Sequence, residues 1–286
     1  MSEQNNTPLG EREGIAPPRD SATLRFLYRT AVGRLFLRPL TARWVSKLCG
    51  RYMDSRMSKS MIRRFVKKNG IDLSQFESDG FTCFNDCFCR KIRDGLRPID
   101  PDEEALISPC DGLLSAYHIE ENTVLPVKQS RYTLDELLGD AELARRFDGG
   151  TCLVFRLCVT HYHRYSYPVS GTKGENVFLP GRLHTVRPIA LQTYPVFVQN
   201  CREYTVIESE RFGSVLQMEV GALLVGKIAN LHGAGEVVRG EEKGKFLYGG
   251  STVILLLQKD RVEIPQKLFE NTELGLETPI LMGERI

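Results

Sequence analysis

Leu247-Tyr248-Gly249-Gly250-Ser251-Thr252-Val253-Ile254-Leu255-Leu256-Leu257 couples a Gly-Gly-Ser-Thr turn to an unbroken apolar run. Glycine punctuation followed by a short, continuous apolar segment reads as the start of a buried strand. The same residues allow chemistry. Gly250 has no Cβ, so a nucleophile can approach its carbonyl, and the Ser251 hydroxyl can attack that carbonyl if a nearby base takes its proton. Outward from this stretch, Cys152–Val159 and Val215–Ile228 are further β-rich runs set between Gly and Pro. From about Pro101 only Leu134–Phe147 reads as a helix. The C-terminal two thirds is therefore expected to be a mostly antiparallel β body, and no repeat of standard period runs through it.

The N-terminal part is different. Residues 1–20 are polar and aperiodic and read as a disordered tail. Leu24, Leu27, Tyr28, Ala31, Val32 and Leu35 then recur at three- and four-residue steps, predicting one helix with a single apolar stripe that Pro39 breaks. A second piece holds Trp44, and a third, Met61–Lys68, is strongly basic. Between Leu24 and Gly70 stand 13 Lys and Arg against one acid, Asp54, a charge of +12 within a chain whose net charge is +2. A basic amphipathic block on an acidic body predicts an anionic partner, phospholipid or nucleic acid. The pattern fits a helix lying in a membrane interface, with its apolar face in the acyl boundary and its cations on anionic headgroups. A helix packed on its own domain with a solvated basic face has the same pattern. No recognition-helix or zinc-finger signature accompanies the charge, which argues against nucleic acid. No run reaches the roughly 20 apolar residues of a membrane span.

The eight cysteines lack a regular spacing and read as reduced thiols. Cys83, Cys87 and Cys89 match no standard metal spacing and read as small apolar residues on a packed segment. Ser108-Pro109-Cys110-Asp111-Gly112 carries a turn signal. His161 and His163 flank Tyr162 just after a predicted strand, where i and i+2 share a face and either imidazole can act as acid or base. An H-x-H pair can also ligate a metal, but no third or fourth ligand stands out.

Taken in order, these segments resemble the phosphatidylserine decarboxylases. The resemblance runs from about Phe84 to Leu257. It includes Phe84-Asn85-Asp86 with Arg90, Arg97-Pro98-Ile99-Asp100, Ser108–Gly112, Tyr162-His163-Arg164, Glu219-Val220-Gly221-Ala222 with Val225-Gly226, and Gly249-Gly250-Ser251-Thr252. Many family members carry a second histidine where this chain has Ser166, and that histidine usually serves as the processing base. His163 is then the first candidate for the base, with His184 and His161 as alternatives.

The resemblance implies an α+β protein. A disordered tail (1–20) leads into a helical, basic, membrane-associating region (21–100), followed by a β-sandwich or barrel-like catalytic domain (101–286). It implies a zymogen that cuts itself between Gly250 and Ser251 into 1–250 and 251–286, which stay together as a heterodimer. Asp111 would orient the catalytic histidine, the histidine would take the Ser251 proton, and Ser251 would end as a covalent pyruvoyl group (pyruvate as cofactor). That group would form a Schiff base with phosphatidylserine and act as the electron sink for loss of carbon dioxide, as pyridoxal phosphate does elsewhere. No metal is needed. The enzyme, a carboxy-lyase, would sit peripherally on the cytoplasmic face of the cell membrane, with Lys128 and Arg131 near the headgroup. A pyruvoyl decarboxylase of a soluble amino acid and an inactive lipid-binding relative are the competing readings.

Overall fold

A computed structural model describes residues 7–17, 20–77, 80–120, 133–191, 194–223, 227–247 and 251–286. The chain opens with helices α1 (Ala22–Arg29), α2 (Ala31–Leu40), α3 (Arg43–Met53), α4 (Ser60–Asn69) and α5 (Phe84–Phe88). The body follows as β1 (Gly112–His118), α6 (Leu134–Leu138), α7 (Ala141–Arg145), β2 (Thr151–Leu157), β3 (Arg164–Ser166), β4 (Gly171–Lys173) and β5 (Val177–Leu179). Next come α8 (Pro188–Leu191), α9 (Val196–Gln199), β6 (Arg202–Ser209), β7 (Gly213–Val220), β8 (Lys227–Asn230) and β9 (Gly235–Val237). The chain ends with β10 (Glu242–Leu247), β11 (Ser251–Leu257), α10 (Gln266–Glu273) and β12 (Thr278–Ile280).

Every ladder between these strands is antiparallel. The larger sheet runs β12-β1-β2-β11-β7-β6-β4-β9, with β5 also on β6, and the smaller runs β3-β10-β8. The larger sheet does not close on itself, so the barrel-like expectation gives way to two open sheets. All seven residues of β11 are buried between β2 and β7. A strand covered on both faces needs no polar alternation, which is why Val253–Leu257 is uniformly apolar. Tyr165 of β3 and Phe246 of β10 enter the same core as Phe155 and Leu255. The Gln217 amide of β7 donates to the Ser166 carbonyl at 3.2 Å, joining the two sheets.

Four expectations change. The single N-terminal helix is two, because Thr30 ends α1 and caps α2: its hydroxyl donates to Phe26 O at 2.8 Å and accepts from Gly33 N at 2.9 Å. Gly33 permits this close turn, since a Cβ there would lie 2.0 Å from Phe26 O. The apolar stripe is consequently split. Tyr28 is buried against the body while Val32, Leu35 and Phe36 face outward. The helix expected over Leu134–Phe147 is also two, divided at left-handed Gly139 and restarted by the Asp140 side chain accepting from Glu142 N and Leu143 N. Within the expected tail, residues 7–17 are fastened rather than loose. Ile15 bridges to Glu277, and buried Arg12 binds Pro279 O at 2.7 Å and Glu284 at 3.0 Å. The strand expected over Val215–Ile228 stops at Val220, and Lys227 starts a strand in the other sheet.

The helices join the body along a seam. Leu183 N donates to Thr41 O at 3.1 Å, and Thr185 N donates to the Tyr28 hydroxyl at 3.1 Å. Pro39 lies in the last turn of α2, which ends at Leu40.

Candidate active site

Register brings the chemistry-bearing segments to one end of the larger sheet. Ser251, the first residue of β11, pairs with Leu157, the last of β2. Thr252 pairs with Arg156 on one side and with Val220, the last of β7, on the other. β1 begins alongside, with Leu113 opposite Arg156. Ser108–Gly112, the 158–163 loop, Val220-Gly221 and Ser251 therefore meet at one edge, although up to 143 positions separate them. Ser251 is fully buried, and among the described residues its hydroxyl has no hydrogen-bond partner. Gly250, on the other side of the expected cleavage bond, lies outside the described residues, as do Gly249, Val225, Gly226, Lys128 and Arg131.

Asp111 is buried and is clamped by Arg97, whose Nε donates to Oδ1 at 2.8 Å and Nη2 to Oδ2 at 2.6 Å; Met282 N donates to Oδ1 at 2.9 Å. This bidentate pair replaces the expected bond from a histidine. His163 obtains its orientation elsewhere. Its Nδ1 lies 2.9 Å from His161 O. A carbonyl only accepts, so Nδ1 carries the proton and Nε2 is the basic nitrogen of the neutral ring. The ring is sealed from solvent and lies 4.0 Å from the Phe88 ring. His161 is the imidazole with Asp111 among its charged neighbours. Burial pushes its pKa down and Asp111 opposes that shift, while Arg156 and Arg97 reinforce it. Its Nδ1 accepts from Cys158 N at 3.1 Å, which places the proton on Nε2 in the neutral form.

His184 belongs to the seam. Its Nδ1 is 3.4 Å from the Tyr28 hydroxyl, its ring stacks on Tyr194 at 4.5 Å, and burial, with Arg182 nearby, lowers its pKa to about 4. Ser166 ties β3 to the Ser108–Gly112 segment through its N–H, 2.8 Å from Pro109 O.

Three groups escaped the sequence reading as site residues. Arg97 lay within a quoted motif, but nothing in the spacing identified its partner. Arg156 pairs with Glu277 through Nε–Oε1 at 2.7 Å and through Nη2–Oε2, beside Thr252. Glu219 and Lys243 form a fully buried ion pair. Cys83, Cys87 and Cys89 are buried free thiols, and burial pushes Cys89 up to about 12, far from a reactive thiolate. Cys89 Sγ contacts Phe246 O at 3.1 Å.

The family model described as "Phosphatidylserine decarboxylase" matches residues 84–286. "Phosphatidylserine decarboxylase proenzyme 2" of Clostridium acetobutylicum is 41% identical over 264 residues, covering 92% of this chain and 90% of that one. The phosphatidylserine decarboxylase proenzymes of Clostridium novyi and Clostridium perfringens are each 42% identical over 269 residues, covering 92% of this chain and 91% and 92% of theirs. The chain belongs to the phosphatidylserine decarboxylase family.

Proposed function

We propose that this chain is a proenzyme that cuts itself between Gly250 and Ser251 and then decarboxylates phosphatidylserine to phosphatidylethanolamine on a membrane surface. The observation that carries the reading is a buried serine hydroxyl, without a hydrogen-bond partner among the described residues, at the sheet edge where the family's other motifs converge. A pyruvoyl group derived from Ser251 fits this place, because the residue from which it would form is held in a central strand and shielded from water. Once formed, it supplies the electron sink that no ordinary side chain offers.

The remaining work falls to the chain's own residues. His163, with Nδ1–H fixed on His161 O, presents Nε2 as the base for the Ser251 proton. Arg97 and Asp111 lock the Ser108–Gly112 turn against Met282 and hold the edge rigid. His161, within the field of Asp111 and Arg156, is the alternative base. The products 1–250 and 251–286 remain one heterodimer.

The helices supply the membrane contact. α3 turns Trp44, Leu48 and Tyr52 outward at four-residue steps, with Trp44 65% and Leu48 61% exposed. α2 does the same with Val32, Leu35 and Phe36, Leu35 being 66% exposed. Such a patch ringed by arginines suits the acyl boundary of an anionic bilayer. No helix among the described residues is long and apolar enough to cross a membrane. In this reading residues 21–100 form a peripheral platform on the cytoplasmic face, and 101–286 the catalytic body. An amphipathic docking face favours a lipid substrate over a soluble amino acid.

Intact-mass measurement tests the reading: native protein gives two fragments, and borohydride labels the new terminus of 251–286. A native, catalytically active preparation that is continuous through 250–251 would falsify it. An uncut, inactive chain that still binds vesicles points instead to a lipid-binding relative, a reading that Ser166 at the second-histidine position favours.

A further inference from the structure

Glu219 and Lys243 have no access to solvent, and the Lys243 Nζ lies 2.6 Å from both carboxylate oxygens. An ion pair sealed between two sheets carries a large desolvation cost, which packing alone does not explain. Its position is informative. Glu219 is paired with Val253, and Thr252 with Val220, so Ser251 and Glu219 point to the same face of the sheet, one diagonal apart. Diagonal neighbours on adjacent antiparallel strands are about 7–8 Å apart, within reach of long side chains. The ladder with β7 ends at Thr252–Val220, and the residue that follows Val220, Gly221, has no side chain to place in the way.

The hydrogen-bond inventory also matches. An ammonium has three donors. Two of Lys243's go to Glu219; the ammonium also lies over the Tyr165 ring, 5.8 Å from its centroid, and among the described residues no oxygen or nitrogen accepts the third. Among the described residues the Ser251 hydroxyl, buried on that face, has no donor. The Glu219 carboxylate is further held by Asn230 Nδ2 at 3.3 Å, which also binds Glu203 at 2.8 Å, so it is fixed from two sides.

We infer that Lys243, clamped by Glu219, is a positioning residue for the Ser251 oxygen during self-cleavage. The two groups are not hydrogen-bonded in the structure; on approach during self-cleavage the third N–H holds Oγ by a lone pair and leaves the hydroxyl proton free to be taken by a histidine of the 158–163 loop. The ammonium then faces the negative charge that develops on Oγ. Burial favours the neutral form of each partner, lowering the Lys243 pKa and raising that of Glu219, so the charge on Lys243 persists only because the two are in contact.

The inference rests on the self-cleavage reading, and the test separates the two. Two neutral double variants of the full chain, Glu219→Gln/Lys243→Met and Glu219→Gln/Lys243→Gln, remove both charges together and so spare the fold an unpaired ion. Folding is followed by near-UV circular dichroism, and cleavage by denaturing gel. Hydroxylamine, which cuts esters faster than amides, reports the ester formed when Oγ attacks. At least one double variant folds, cleaves at least roughly 100-fold more slowly and loses the hydroxylamine-sensitive ester, while Lys243→Arg recovers to within roughly tenfold of wild type. A folded double variant that cleaves at the wild-type rate, or cleaves slowly with its ester intact, overturns the role. Failure of both double variants to fold while Lys243→Arg folds but does not cleave also overturns it, because a retained cation is then insufficient. A wild-type chain that never cuts removes the underlying reading itself.

Discussion

The helices of residues 22–69 and the sheets behind them treat charge in opposite ways. On the helices the described lysine and arginine side chains are exposed, and among the described residues none forms an ion pair, while Leu35, Trp44 and Leu48 lie open beside them. In the body the reverse holds. Lys243–Glu219 is buried and paired, Arg97–Asp111 and Arg156–Glu277 are paired and largely buried, and the apolar residues of β11 are sealed. Unpaired surface cations gain from an external anionic surface, at about 1 kcal/mol each. Buried pairs gain nothing from outside, and their value lies in holding an exact local arrangement. Under the proposed function, one region meets a partner and the other holds the reaction.

Predictions test that division, the largest effect first. Ser251→Ala should abolish cleavage and decarboxylation, read by gel and by carbon dioxide release, while vesicle binding is unchanged. Loss of vesicle binding in that variant would show that the regions are not independent. His163→Gln should slow cleavage by roughly 100- to 10,000-fold, more than His161→Gln or His184→Gln. The reverse order would move the base to His161 or to the seam. Arg97→Ala strands a buried carboxylate and should cost about 3 kcal/mol in denaturant unfolding; an unchanged midpoint would mean that Asp111 finds another donor.

At the seam, His184 is neutral when folded, with a pKa of about 4 against 6.5 when unfolded. The unfolded chain therefore binds the proton first, and stability falls as pH drops from about 6.5 to 4, by up to about 3 kcal/mol. His184→Gln should flatten that interval in thermal melts. On the platform, the triple variant Phe36→Ala/Trp44→Ala/Leu48→Ala should weaken binding to anionic vesicles by roughly 100-fold, with cleavage and melting unaffected. Slower cleavage would tie the platform to the site.

The body was more legible than the platform, for a physical reason. Cys152–Val159 and Ser251–Leu257 contain their own strand signal, and the observed strands, Thr151–Leu157 and Ser251–Leu257, nearly coincide with them. The α1–α2 break was hidden because its cause is a capping threonine and a close approach at Gly33, neither of which disturbs apolar periodicity. The same holds for the two-helix form of 134–145, where Gly139 and Asp140 carried the signal but the longer apolar pattern masked it. Val215–Ile228 misled because both sides of the turn after Val220 are apolar. At the site, sequence order supplied the motifs and could not supply partners. Which group holds Asp111, and which sits beside Glu219, depends on strand register, and the contacts span 14 and 24 positions.

The placement of β11 has a mechanical consequence. It is inserted between β2 and β7, while β12 from the same C-terminal stretch pairs with β1 at the sheet's edge. Opening the backbone ahead of Ser251 would thus free a new end without freeing a molecule: residues 251–286 would stay stitched into the larger fragment by backbone ladders and by the Arg156–Glu277 and Arg12–Glu284 pairs. Pulling the pieces apart would require dismantling the whole sheet, so subunit exchange and unfolding should be a single event.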